Sequence, residues 1–149
     1  MFEIKEIGAL ETFSVRHPVL RFGKPIESCY FEGDGLQTTK HFGLFYNNQL
    51  SGVISVFESK NSLFEGTNQF QIRGMAVLQQ FQKKGFGVAL LKHCENYIQN
   101  KKGSVIWFNA RENAIGFYEK SGYMKRGEGF EIETIGRHFV LFKIIECQT

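Results

Sequence analysis

Phe70-Gln71-Ile72-Arg73-Gly74-Met75-Ala76-Val77, then Gln82-Lys83-Lys84-Gly85-Phe86-Gly87, then Val88, Leu91, Cys94, Glu95 and Ile98 at helical spacing: this stretch decides the fold. The first segment alternates as a strand does, with Phe70, Ile72, Gly74 and Ala76 on one face. The last has the period of an amphipathic helix, with Leu90 and Tyr97 alongside, and it stops near Lys101-Lys102-Gly103. Ser104 to Phe108 follows as a continuous apolar run, the pattern of a strand buried on both faces in a parallel pairing. Strand, glycine turn, helix and buried strand make a crossover unit. The turn itself reads as an anion cradle. A helix starting near Phe86 leaves its first N–H groups without intrahelical partners, Gly85 and Gly87 let ligand oxygens approach, and Lys83 and Lys84 add positive charge. Glycines at strand-to-helix turns are common, so only the flanking elements give the cradle meaning.

Working outward, Phe2 to Ile7 alternates as a half-buried edge strand. A short helix is expected near residues 10–22 and a loop from there to Thr39, because Pro18, Gly23 and Pro25 interrupt the pattern. His41–Tyr46 and Leu50–Glu58, joined by Asn47-Asn48-Gln49, read as an antiparallel hairpin, and Ser59–Asn68 as a polar loop. Beyond the crossover, Glu112–Lys120 reads as a second helix with Ala114, Phe117 and Tyr118 on one side, ended by Gly122. Tyr123–Ile145 reads as two antiparallel strands, the last from Phe139, separated by a loop containing Thr134–Arg137. The expected class is α/β in the mixed-sheet (α+β) sense: a mostly antiparallel sheet with a central parallel crossover, flanked by helices.

With 149 residues, 42% hydrophobic and 22% charged, the chain is long enough to bury a core, and we expect one domain over 1–149. A net charge of +3 without like-charge blocks suits a small anionic ligand better than nucleic acid. Cys29, Cys94 and Cys147 have neither the number nor the spacing of a disulfide framework or a zinc site, which points to a reducing cytoplasm and no metal. No run approaches the roughly 18 apolar residues of a membrane span, and Met1 to Leu10 lacks the pattern of a signal peptide.

The order of elements and two motifs resemble the GNAT superfamily of acyl-CoA-dependent N-acyltransferases. Gln82 to Gly87 is similar to that superfamily's Arg/Gln-x-x-Gly-x-Gly/Ala pyrophosphate loop, placed after Ile72-Arg73-Gly74-Met75-Ala76-Val77. Asn109 to Tyr123 looks like its second signature, a helix written Ala-Ile-x-x-Tyr-x-x-x-Gly-Tyr/Phe, here Ala114, Ile115, Tyr118, Gly122 and Tyr123. Together they span residues 70–123. The resemblance implies acetyl-CoA as co-substrate and splayed strands on either side of the crossover helix. The backbone of Met75, Ala76 and Val77 would pair with the pantetheine arm as an added strand. Gln82 and the amides from Lys83 through Lys84, Gly85, Phe86 and Gly87 to Val88 would hold the pyrophosphate, with the N–H of Val77 facing the thioester oxygen. Tyr118 matches the tyrosine that donates a proton to the departing thiolate; otherwise it is a core aromatic.

The chain departs from that pattern in three places. Neither strand of the crossover carries the carboxylate that serves many members as base, which leaves Glu58, Glu128, His41, His138 or a chain of waters. Arg111 stands where members often carry an asparagine that bonds pantetheine, a task Asn109 is placed to take over. Lys83 stands where many have glycine. Arg73, on the strand that lines the acyl slot, is suited either to a substrate carboxylate or to an ion pair with a nearby glutamate. Arg73, Glu58 and His138 are the candidate acceptor contacts. The expected activity is acetyl transfer to a primary amine of a small molecule or peptide; a catalytically silent acyl-CoA sensor is the alternative. A homodimer through C-terminal edge strands is a further expectation, with neither nucleic acid nor membrane as partner.

Overall fold

The computed structural model describes residues 1–132 and 135–145. Its elements are β1 (Phe2–Ile7), α1 (Phe13–Leu20), β2 (Lys40–Tyr46), β3 (Gln49–Glu58), β4 (Gln69–Val77), α2 (Phe86–Asn100), β5 (Val105–Arg111), α3 (Ile115–Glu119), β6 (Met124–Ile132) and β7 (Gly136–Ile144). Short 3-10 turns precede α1, α2 and α3, at Leu10–Thr12, Gln79–Phe81 and Glu112–Ala114, and a fourth lies at Ile26–Cys29. The strands are hydrogen-bonded in the order β1-β2-β3-β4-β5-β7-β6. Pairing is mostly antiparallel, and β4 with β5 is the parallel exception, in the register Gln69↔Val105, Phe70↔Ile106, Gln71↔Trp107. The expected mixed sheet with its parallel crossover is therefore present. Residue contacts group into two compact units, Met1–Phe57 with Ile72–Tyr97, and Glu58–Gln71 with the chain from Ile98 onward.

In the first unit, Ile7, Val15, Val53 and Ala76 form a buried cluster on which Val19, Leu20, Phe45, Leu50 and Leu78 pack. Asn47 and Asn48 close the β2–β3 hairpin with φ of 50° and 64°, the two left-handed residues of a type I′ turn; Gln49, expected in the turn, already belongs to β3. The edge strand β1 is more exposed than expected, with Ile7 its only buried residue and β2 as its strand partner. The start of α2 is anchored by Phe86, which is buried and packs its ring 5.4 Å from those of both Phe2 and Tyr46.

In the second unit, Val105, Trp107, Val140 and Phe142 form the core, with Phe64 and Phe130 against them. Trp107 donates its indole N–H to the Ser59 carbonyl at 2.9 Å, tying the polar loop to β5. Three expectations change here. The strand continues past Phe108 as far as Arg111, so Asn109 and Arg111 lie on it, both exposed. The second helix is shorter than read: only Ile115–Glu119 is α-helical, and Phe117 is exposed while Ile115 is buried. A segment with glycine at position two and one turn of apolar residues has too little buried surface to propagate further. Finally, β7 begins at Gly136, so Gly136 and Arg137 pair with Ile132 and Glu131 where a loop was expected. Thr134 and Cys147 lie outside the described residues; Cys29 and Cys94 are buried free thiols.

Candidate functional site

The turn from β4 into α2 is braced from both sides. Leu78 donates its N–H to the Ser51 carbonyl at 2.9 Å, and Gln82 Nε2 donates to the Val77 carbonyl at 3.0 Å. Lys83 and Gly85 both take left-handed backbone, with φ of 66° and 83°, while Gly87 is helical. For lysine that conformation costs about 1–2 kcal/mol, which accounts physically for glycine being the residue suited to position 83. The helix ladder starts with Ala89 N–H to the Gly85 carbonyl at 3.1 Å, so the amides of Phe86, Gly87 and Val88 have no intrahelical acceptor. Gln82, Lys83, Lys84 and Gly85 are exposed, and Lys84 Nζ sits 5.7 Å above the Tyr46 ring. Free amides, left-handed turn residues and two ammonium groups fit a pyrophosphate. On β4, Ala76 is buried and Met75 and Val77 are half-buried.

Tyr118, on α3, is half-buried, its ring 4.6 Å from Phe108, 5.1 Å from Phe117 and 6.4 Å from Tyr123. Burial pushes its phenol from 10.0 up to about 12. Among the described residues no group takes up its hydroxyl, which keeps the proton available for transfer. Gly122, with φ of 95°, ends the helix as expected. His138 faces Arg111 across the β5–β7 ladder. Its Nδ1 lies 2.9 Å from the Gly136 carbonyl, so Nδ1 carries the proton and Nε2 keeps the lone pair. Strand alternation puts Arg111, Asn109 and His138 on the face of β5 that carries Trp107, and Phe108 with Tyr118 on the other. Asn109 and Arg111 are exposed and His138 is buried.

A constellation not legible in the sequence lies in the first unit. Arg16 is 0% exposed and donates to Asp34 Oδ2 at 2.5 Å, Asp34 Oδ1 at 3.2 Å, the Cys29 carbonyl at 2.8 Å and Ser55 Oγ at 2.9 Å. Ser55 in turn meets His41 Nδ1 at 2.6 Å, and His41 Nε2 donates to the Asp34 carbonyl at 2.9 Å. Both ring nitrogens of His41 are thus consumed, which removes it from the candidate bases. The Phe31 ring lies 3.9 Å from the Arg16 guanidinium, 4.9 Å from that of Arg73 and 5.1 Å from that of Arg21. Gly74, with φ of 68°, makes room for this stack: a Cβ there would stand 2.8 Å from Phe31.

Arg73 forms no glutamate ion pair among the described residues; its Nη1 reaches only the Glu32 carbonyl, at 3.5 Å. It is half-buried, and burial lowers its pKa, with the neighbouring Asp34 working against that and Arg16 and Arg21 reinforcing it. Glu58 ends β3 and Glu128 lies on β6, both exposed. Of the candidate bases, His138 alone combines burial with a free nitrogen lone pair. Arg16 and Asp34 gave no sequence signal beyond being charges in an irregular segment.

A sheet with one parallel pair, a glycine loop opening the crossover helix and a tyrosine on the next helix define a class, and the family comparison agrees: residues 21–141 match the model of the acetyltransferase (GNAT) domain. The chain belongs to the GNAT acetyltransferase family. It is 32% identical over 145 residues to the uncharacterized N-acetyltransferase YitI of Bacillus subtilis (strain 168), covering 97% of both chains. Its fold is that of the ribosomal-protein-S18-alanine N-acetyltransferase from Escherichia coli, with a TM-score of 0.78 at 17% identity, over 100% of this chain and 97% of that one. It is also that of a GNAT acetyltransferase from Elizabethkingia anophelis with acetyl-CoA bound, with a TM-score of 0.69 at 17% identity, over 97% and 98% of the two chains. The protein is thus an acyltransferase of the acetyl-CoA-using type, and no helix of its described residues is long and apolar enough to cross a membrane.

Proposed function

We propose that this protein is an N-acetyltransferase that moves the acetyl group of acetyl-CoA to a primary amine by direct attack within a ternary complex. The Tyr118 hydroxyl carries this reading: it is unclaimed, set in an aromatic cluster and held protonated by burial. The loop from Gln82 to Val88 holds the pyrophosphate, and Met75, Ala76 and Val77 offer backbone to the pantetheine, with Asn109 and Arg111 as further contacts. His138 Nε2 takes the proton that the ammonium must lose before it attacks. Tyr118 and His138 lie on opposite faces of β5, so Tyr118 serves the sulfur directly and the ammonium proton travels to His138 Nε2 through a chain of waters.

The proton inventory sets Tyr118's role. Against an aqueous thiol of pKa ~8.5, full transfer from a phenol at about 12 is uphill by about 5 kcal/mol. Tyr118 therefore acts first as hydrogen-bond donor to the departing sulfur. It releases the proton where that sulfur, shielded from water like the phenol, has become more basic. Arg73 holds an anionic group of the acceptor, since its guanidinium rests on aromatic rings and a carbonyl without a carboxylate of its own. We further place the enzyme in a reducing cytoplasm, with its free buried Cys29 and Cys94, and propose a homodimer paired through the edge strand β6.

Release of coenzyme A thiol over a panel of primary amines tests this function. Turnover that falls at least a hundredfold in Tyr118→Phe and in His138→Ala, with acetyl-CoA affinity kept, supports it. Tight acetyl-CoA binding with silence toward every amine identifies a sensor instead.

A further inference from the structure

Arg73 projects from a strand, and a guanidinium on a long, flexible stem recognises a carboxylate well only when its plane is already set. Phe31 supplies that setting. The ring is buried, at 6% exposed, and three guanidiniums surround it: Arg16 at 3.9 Å, Arg73 at 4.9 Å and Arg21 at 5.1 Å. The ring is itself fixed. Phe31 donates its N–H to Asp34 Oδ2 at 2.9 Å, and the same carboxylate holds Arg16, whose guanidinium lies 3.9 Å from the ring. Gly74, next to Arg73 on β4, leaves the space that the ring fills. No carboxylate forms a salt bridge with Arg73 among the described residues: Asp34 favours its charge from a distance but is engaged by Arg16, Glu32 offers its carbonyl, and Glu27 and Glu32 are exposed.

We infer that Phe31 is a positioning residue for acceptor recognition: its ring face holds the Arg73 guanidinium in the orientation that meets an anionic group on the amine acceptor. This rests on the reading of Arg73 as the acceptor contact. Cation–π contact with a desolvated guanidinium sets the expected size, and an aliphatic residue of similar volume keeps the packing while removing the ring quadrupole.

The test is a double-mutant cycle on the full chain, with Phe31→Leu and Arg73→Ala, and Phe31→Met as a second variant should the leucine protein not fold. Acetyl transfer and binding to the coenzyme A complex are measured with β-alanine and aspartate against propylamine as the uncharged control. Phe31→Leu is expected to raise the KM or Kd for the carboxylated amines about five- to thirtyfold, with the value for propylamine and the KM for acetyl-CoA unchanged. In the Arg73→Ala background the same substitution is expected to have no further effect, an outcome that a merely structural residue would not produce. Equal losses for carboxylated and uncharged amines, or an undiminished effect without Arg73, would overturn the inference while leaving the role of Arg73 intact. If Arg73→Ala leaves the carboxylated amines unaffected, or if they have no advantage over propylamine in the unaltered protein, the reading of Arg73 fails and this inference with it.

Discussion

Replacing Asp34 by alanine removes the only carboxylate that pairs, among the described residues, with the fully buried Arg16 guanidinium. Three hydrogen bonds go with it: two from Arg16, at 2.5 and 3.2 Å, and one from the Phe31 N–H, at 2.9 Å. Counted singly, at about 1.5–3 kcal/mol for bonds to a charged group, they sum to more than half the stability of an ordinary domain. That sum double-counts, because Arg16 keeps the Cys29 carbonyl and Ser55 Oγ as acceptors. The measured cost of breaking a buried pair, about 3–5 kcal/mol, is the better figure, and it corresponds to a fall in melting temperature of about 6–20 °C. Urea unfolding followed by circular dichroism reads it as a drop in midpoint at unchanged slope. Removing both charges, as Arg16→Met with Asp34→Leu, should cost less than Asp34→Ala alone, since no ion is then left buried. A loss below about 1 kcal/mol in Asp34→Ala, or a double variant worse than the single, would refute the account of this network.

Lys83→Gly relieves a left-handed lysine at about 1–2 kcal/mol but adds about 0.5–1 kcal/mol of unfolded-chain entropy, so we expect a net gain of about 0.5–1 kcal/mol in denaturant unfolding. The lost ammonium should weaken coenzyme A binding less than about fivefold by calorimetry. Tyr118 binds its proton more tightly folded than unfolded, so its contribution to stability is complete below pH 10.0 and declines as pH rises towards about 12. Acetyl transfer should accordingly show no alkaline loss from this phenol until pH nears 12; a limb near 10 would mean an unburied tyrosine. His138→Gln keeps a polar group but no base, and kcat should fall about a hundredfold or more while the KM for acetyl-CoA stays within about twofold.

The crossover was legible in the sequence because its signals are local and long: a period of two, a glycine turn, fifteen residues of helix and a continuous apolar strand. The hairpin was equally plain, since two asparagines can adopt left-handed backbone at little cost. What escaped is set by distant contacts. Arg16 finds Asp34 eighteen residues away and Ser55 thirty-nine away, within a segment broken by Pro18 and Pro25, and no spacing rule connects them. In the sequence Lys83 is only a lysine where many members have glycine; its positive φ supplies the physical reason. His138 stood among several candidate bases until its neighbour's carbonyl fixed the tautomer, and His41 dropped out once both its nitrogens were seen to be engaged.

Acetyl-CoA offered with a panel of primary amines, with free thiol and acetylated amine quantified in the same reaction, tests the central claim most directly. We predict that the two products accumulate in equal amounts with at least one amine and that both nearly vanish in Tyr118→Phe. Saturable acetyl-CoA binding without either product from any amine, or turnover indifferent to Tyr118, would contradict it.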